Sequence, residues 1–393
     1  MMKRLAQTIC AVCALSLVGG VAQAHGEGAQ SPPVAAAPQS VQQQIDELRL
    51  RLQELEAQLQ KTQESQEVTS RDLYATTEAQ KKLAQGEKVK LSGYIQSQFS
   101  SDQAADPETD FRVRRARLKI EAPVTDLAAL TLQIDAARAV ELKDAYVDLG
   151  RKTDLWRFRM GQGKVPFMYE VLESSSARLE PERSALAAAL FPGERDIGAW
   201  LHLKNVLGDE VPGTTLDLGA MSGNGPSAAD NNDSKDLVAR LRFVLGRKPV
   251  DKDTEANSLY VGYLTGKFTN SKGATTDKRR LGGGISYASG PLWLRGELVT
   301  GEDLGKDILG WHAHLAYRFS QTPGTLFARY DRFDEDSDTD NTDFKSLTVG
   351  YQHQLDAKTR VVLAHELRRP DADYSKFAKT DGDLTTLRLQ VKY

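Results

Sequence analysis

From Val89 to Tyr393 the chain alternates apolar and polar side chains with a period of two. Leu387, Leu389, Val391 and Tyr393 stand against Thr386, Arg388, Gln390 and Lys392. Leu130, Leu132 and Ile134 stand against Thr131, Gln133 and Asp135; Ala145, Val147 and Leu149 against Asp144, Tyr146 and Asp148; and Leu347, Val349 and Tyr351 against Thr348 and Gln352. Successive side chains of a strand point to opposite faces, so each segment predicts a strand with one apolar and one polar face. About sixteen such segments fit between 89 and 393, an even number, with strands of about 9–11 residues each. Short connections at 122–126, 150–154, 288–291 and 355–359 alternate with longer ones at 102–110, 164–195, 223–235, 334–343 and 368–383. Short turns on one rim and long loops on the other predict an all-β membrane barrel of about 16 antiparallel transmembrane strands. A soluble β-sandwich also repeats short strands but gives no reason for that alternation of connection lengths.

Upstream the period changes. Val41, Ile45, Leu48, Leu52, Leu55 and Leu59 recur at steps of four and three, the seam spacing of a heptad repeat. A short periplasmic helix or coiled coil over 41–85 is expected; one amphipathic helix lying on the protein's own surface is the alternative. Residues 25–40 are rich in Ala, Pro, Gly and Gln, too poor in large apolar groups to order, and are expected to form a linker. Lys3 and Arg4 precede an apolar run from Ile9 to Val18 and then Ala22-Gln23-Ala24, which predicts an export signal peptide over 1–24.

Composition agrees with an exported barrel. Cys10 and Cys13 both fall in the signal, so the expected mature chain has no thiol, disulfide or cysteine metal site. Removing Lys3 and Arg4 lowers the basic count from 51 to 49 against 54 acids, a net −5, which argues against a nucleic-acid partner. A mean hydropathy of −0.46 resembles that of soluble proteins, and no run beyond the signal is long and apolar enough to span a bilayer as a helix. A barrel with a polar lumen has the same composition, because every second residue of each strand faces water.

The candidate chemistry is electrostatic. Arg115, Arg117 and Lys119 share one face of the second strand while Ala116, Leu118 and Ile120 share the other. A cation on the lipid face costs about 2–4 kcal/mol at the bilayer midplane, so the three cations are expected in the lumen, where they would select anions by field. Phe111 and Val113 carry the opposite parity, which predicts a bulge near Arg114 or Arg115. A second reading stays open, in which lumenal Asp135, Asp144 and Asp148 balance these charges. The connection from Lys164 to Arg195 contains a helix-forming Ser184–Leu190 stretch and is expected to narrow the pore, or else to cap it from outside. Asp336–Asp340 begins like a calcium loop, but Asn341 replaces the turn glycine and Leu347 the closing carboxylate, so a solvated acidic loop is expected. No nucleophile-elbow pattern is present, and neither a catalytic site nor a cofactor is expected.

The stretches FRVRRARLKI (111–120), GQGKVPF (161–167), ERS (182–184), FPGERDIG (191–198), NNDSKD (231–236) and ARYDR (328–332) resemble the phosphate-selective porin O and P family over nearly all of 89–393. The resemblance implies a sixteen-stranded homotrimeric channel in which the third long loop enters the lumen, arginines on neighbouring strands lead anions along the wall, and transport is passive. Within the long connection, however, Lys164, Arg178, Arg183 and Arg195 face five acids, Glu170, Glu173, Glu180, Glu182 and Glu194. A phosphate constriction is expected to be clearly basic, so this count argues against carrying the family's substrate over. The function expected is an outer-membrane porin in contact with lipid and lipopolysaccharide, passing small hydrophilic solutes with a lean toward phosphate or other inorganic anions. Its selectivity residues are expected to be Arg115, Arg117, Lys119, Lys164, Arg183 and Arg195. A barrel that tethers the envelope through residues 41–62, with incidental permeability, is the alternative.

Overall fold

A computed structural model describes residues 51–56, 58–60, 63, 89–151, 153–245, 257–269, 273–375 and 381–393. The chain divides into two units, 1–84 and 85–393. In the first unit, 51–56, 58–60 and 63 are helical, and Leu52, Leu55 and Leu59 of the heptad seam are exposed. The signal peptide, the linker and the rest of the seam lie outside the described residues.

The second unit is a closed barrel of sixteen antiparallel strands in which each strand pairs with its sequence neighbours and β1 closes on β16. The strands are β1 Lys90–Asp102, β2 Thr109–Pro123, β3 Ala128–Asp135, β4 Glu141–Leu149, β5 Trp156–Lys164, β6 Arg195–Lys204, β7 Thr215–Met221, β8 Asp236–Val244 and β9 Ser258–Thr269. They continue as β10 Thr275–Ser289, β11 Leu292–Asp303, β12 Lys306–Arg318, β13 Gly324–Asp334, β14 Asp343–Gln354, β15 Thr359–Pro370 and β16 Leu384–Lys392.

The barrel is polar inside and apolar outside, the reverse of a soluble core. Leu294, Leu298, Leu315, Leu363 and Leu389 are exposed on its outer face, while Gln96, Arg117, Arg240, Arg295, Asp331 and Arg388 are buried within. Lipid in place of water outside makes that arrangement the stable one. Trp156, Tyr287, Tyr317, Tyr351 and Tyr393 stand exposed near the strand ends on the rim of short connections, an aromatic girdle of the kind that sits at a membrane–water interface. The alternation of loop lengths has exceptions: Leu304 and Gly305 make a two-residue turn on the long-loop rim, and 205–214 is a longer connection on the other.

The barrel's main apolar core lies inside it. The connection 165–194 carries two short helices, α1 Tyr169–Leu172 and α2 Ala185–Leu190, the second capped by Ser184, whose side chain accepts from the Ala187 N–H at 3.2 Å. Phe167, Met168, Val171, Leu186, Leu190 and Phe191 pack against inward-facing Leu264, Val299, Ile308, Phe333 and Phe344. Burial of each large side chain contributes about 1.5–3 kcal/mol, so apolar contact accounts for much of the docking. Gly310 and Gly282 make room for it. A Cβ on Gly310 would lie 2.5 Å from Leu186 Cδ1, and one on Gly282 would lie 2.6 Å from Phe167 Cε1.

Candidate functional site

The docked loop leaves one side of the lumen open. It touches the wall from β9 round to β1: Tyr169 meets Ser258, Arg329 donates to the Glu182 carbonyl, Arg388 to that of Pro181, and Gln96 to that of Ser175. Between the loop and the opposite wall, β2 to β8, lies a cavity of about 480 Å³. Its cations are Arg117 and Lys119 on β2, Arg157, Arg159 and Lys164 on β5, Arg195 on β6, and Arg240 and Arg242 on β8. Asp144 and Asp217 are its only carboxylates among the described residues.

Most of these cations are held in fixed geometry. Arg117 Nε lies 3.0 Å from Asp135 Oδ2, and Arg159 makes a two-pronged bond to Asp148 at 2.7 and 2.8 Å while stacking 3.5 Å above the Tyr146 ring. Arg195 Nε reaches Asp144 at 2.7 Å, and Lys119 Nζ reaches Glu121 at 2.8 Å. Lys164 Nζ donates to the Leu172 and Glu173 carbonyls at 2.9 and 2.5 Å, tying α1 to the strand end. Arg240 lies 4.6 Å over the Tyr260 ring and 3.7 Å from Asp217, which also bonds His202. Arg157 and Arg242 make no side-chain hydrogen bond or ion pair with any described residue. They stand at the ends of β5 and β8 nearest the short-turn rim. Lys164 ends β5 at the loop rim, so the cations extend about 23 Å along that strand at ~3.3 Å per residue.

Of the residues expected from sequence, Arg117, Lys119, Lys164 and Arg195 line this cavity. Arg115 and Arg183 stand elsewhere. Arg115 bonds Gln96 and Glu182 at 2.9 Å each, while Arg183 pairs with Glu194 at 2.9 Å and donates to the Glu173 carbonyl. Burial and the neighbouring Arg178 push the Arg183 guanidinium down to about 10. The expected bulge is at Arg114, skipped between the pairs Gln96–Arg115 and Ser97–Val113. It turns Arg114 onto Glu182 at 2.8 Å, beside Arg115 and Arg388.

The loop's acids explain why its charge count misleads. Glu170 faces Arg329 and His312, Glu173 binds Arg295 at 3.0 Å, and Glu180 bonds His314. Glu182 holds three arginines, and Glu194 pairs with Arg183 and Arg195. Glu170, Glu173 and Glu180 point at the docking wall, Glu182 joins Arg388 of that wall to the bulge of β2, and Glu194 bridges Arg183 of the loop and Arg195 at the cavity's edge; none of the five lines the cavity. Counting along the chain therefore gave no measure of the field in the open lumen. Glu170, Glu297 and His312 bring possible metal ligands within 4.8 Å of one another. Their carboxylates are already occupied, Glu297 by the Tyr169 and Glu170 N–H groups and the Tyr260 hydroxyl, Glu170 by Ser184. The cluster thus serves as an anchor for α1.

The profile of the phosphate-selective porin O and P family matches residues 89–393. The chain belongs to that family. This porin is an outer-membrane protein that passes small hydrophilic solutes by diffusion, with no enzymatic chemistry. A search of curated proteins gave no significant match. Solved structures share the fold at low sequence identity. An anion-selective porin from Comamonas acidovorans superposes with a TM-score of 0.58 at 16% identity, over 78% of this chain and 99% of its own. OmpF of Salmonella typhi, in complex with daunomycin, gives 0.60 at 12% over 78% and 98%. OmpT of Vibrio cholerae, in a trimer form, gives 0.57 at 10% over 78% and 100%.

Arg157, Arg159, Arg240 and Arg242 escaped the sequence reading. Their signal is the same one that marked β2: Arg157 and Arg159 alternate with Phe158 and Met160, and Arg240 and Arg242 with Leu241 and Phe243.

Proposed function

We propose that this porin favours small inorganic anions of the phosphate class, drawn along a ladder of cations on the β2–β8 wall. The observation that carries this reading is the cavity's charge, eight Lys and Arg against two Asp. Carboxylates fix most of these cations and cancel part of their charge, whereas Arg157 and Arg242 keep donors available to a passing oxyanion. Partial shielding from bulk solvent strengthens their field on an ion in the lumen. Arg117, Lys119, Lys164 and Arg195 contribute position and residual field; Arg115 and Arg183 act indirectly, by holding the loop that shapes the passage. The family and the printed name of the Comamonas porin support an anion preference. The trimer form of the Vibrio protein supports a homotrimer.

The test is the reversal potential of purified porin in a potassium chloride gradient at low salt, where screening is weakest. Arg157→Ser with Arg242→Ser is expected to shift selectivity toward potassium and to weaken block of chloride current by phosphate, with folded yield unchanged. An unchanged reversal potential in a folded double variant overturns the ladder.

A further inference from the structure

A second cavity, of about 760 Å³, lies between the docked loop and the wall from β6 to β11, bounded also by the connection 222–235. Its volume is within the usual range for a small-molecule site. Long loops of an outer-membrane barrel face outward, so this cavity stands on the extracellular side. Of the described residues that line the β2–β8 cavity, only Arg195 lines this one as well.

Most of its lining is apolar. Leu190 and Phe191 come from the docked loop, Met221, Leu264 and Phe268 from the wall, and Pro226 from the connection 222–235. Two buried carboxylates, Asp196 on β6 and Asp236 on β8, interrupt this surface. They flank Gly223, whose N–H donates to Asp196 Oδ2 at 2.9 Å and on which a Cβ would lie 2.8 Å from Asp236 Oδ1. Asp196 otherwise accepts only from the Ile197 N–H, at 2.7 Å, and makes no ion pair with any described residue. Asp236 Oδ2 binds Lys278 at 2.5 Å, while its Oδ1 is buried with no hydrogen-bond partner among the described residues. The other cations of the lining are committed elsewhere, Arg280 to Asp303 and the Leu190 carbonyl, Arg195 to Asp144 and Glu194. One lysine ammonium therefore serves two carboxylates, and a buried charge short of a partner costs free energy that a ligand cation would recover.

We infer that this cavity binds a small organic ammonium with an apolar body, an arylalkylamine in size and chemistry, its amine at the Asp196–Asp236 pair and its ring against Phe191, Leu264 and Phe268. An inorganic cation would neutralise the carboxylates but leave the apolar lining wet, whereas a neutral aromatic would cover the lining and leave the pair short of counter-charge. Only a ligand carrying both features meets both demands. The charge preference is the reverse of that of the β2–β8 ladder, so the two cavities draw different solutes.

The probe is 2-phenylethylammonium, titrated calorimetrically into the detergent-solubilised porin at about pH 8, where carboxylates are ionised and the amine is still protonated. Ethylammonium and 2-phenylethanol are the half-ligands. The probe is expected to bind saturably and about tenfold or more tighter than either. Asp196→Asn keeps an acceptor for the Ile197 and Gly223 N–H groups while removing the charge, and is expected to weaken the probe by at least about tenfold. Should that variant fail to assemble, Ala228→Trp fills the cavity from the connection 222–235 without touching charge and is expected to give the same loss. Binding of the probe no tighter than ethylammonium or 2-phenylethanol overturns the proposal, as does undiminished binding in folded Asp196→Asn or Ala228→Trp protein. Absence of saturable binding, as when the chain's own residues fill the cavity, overturns it too.

Discussion

Replacing Glu170 by Gln removes one charge from the anchor of the pore loop and leaves its shape nearly unchanged. The carboxylate is buried, accepts from the Ser184 N–H at 2.8 Å and from the Ser184 hydroxyl, and faces Arg329 at 3.4 Å and His312 at 3.6 Å. Burial by itself would raise its pKa; the charges of His312, Arg329, Arg178 and Arg183 outweigh burial and hold it down to about 2, from 4.5. At 1.36 kcal/mol per pH unit that corresponds to about 3 kcal/mol favouring the docked loop at neutral pH. Glu170→Gln is therefore expected to raise the population of undocked loop by roughly 100-fold. Hydrogen exchange of the reconstituted protein reads this directly, because the Ala188 and Phe191 amides are bonded within α2. Their protection should fall by about the same factor while barrel amides keep theirs. A depressed carboxylate pKa contributes stability above its unfolded value and loses it as pH falls toward the folded one. The difference between wild type and variant should therefore shrink from about pH 4.5 downward and vanish near pH 2. Protection unchanged within about threefold at neutral pH, in a folded barrel, would refute the ionic anchor.

Three further outcomes are expected. Gly282→Val places a side chain where Phe167 now lies, an overpacking that costs about 1–3 kcal/mol and should appear as altered single-channel conductance with normal heat-modifiable folding. Unaltered conductance would show that Phe167 makes way without displacing the loop's pore-facing side. Deleting 387–393 removes most of β16, which pairs with both β15 and β1; unpaired backbone in lipid costs several kcal/mol per group, so no folded barrel should reach the outer membrane, and normal folded yield would contradict the closure. Removing 41–62 should leave conductance intact, since the described residues that line the β2–β8 cavity all lie between Arg117 and Arg242, and a folded but silent truncation would assign that segment to the pore.

Strand number, the lipid-facing side of each strand and the position of the long connection were legible in the sequence because they depend on a period of two and on connection length. Both are local properties. The bulge at Arg114 was legible for the same reason, as a change of parity from Val113 to Ala116. The wall that receives the loop left a trace as well, in apolar residues at inward positions: Val299, Ile308, Phe333 and Phe344 interrupt an otherwise polar face and mark where Leu186, Phe191 and their neighbours dock. What only the tertiary structure decided is which charges meet. Glu182 lies 67 residues from Arg115 and 206 from Arg388, yet all three share one node. Glu170 and Arg329 are 159 residues apart. The field in a lumen is a sum over side chains brought together by barrel closure, and a charge already paired at the docking wall adds little to the channel, so the loop's excess of acids could not reveal that the open side is basic. That asymmetry arises when one apolar loop face seats against one wall and leaves the other to the ions.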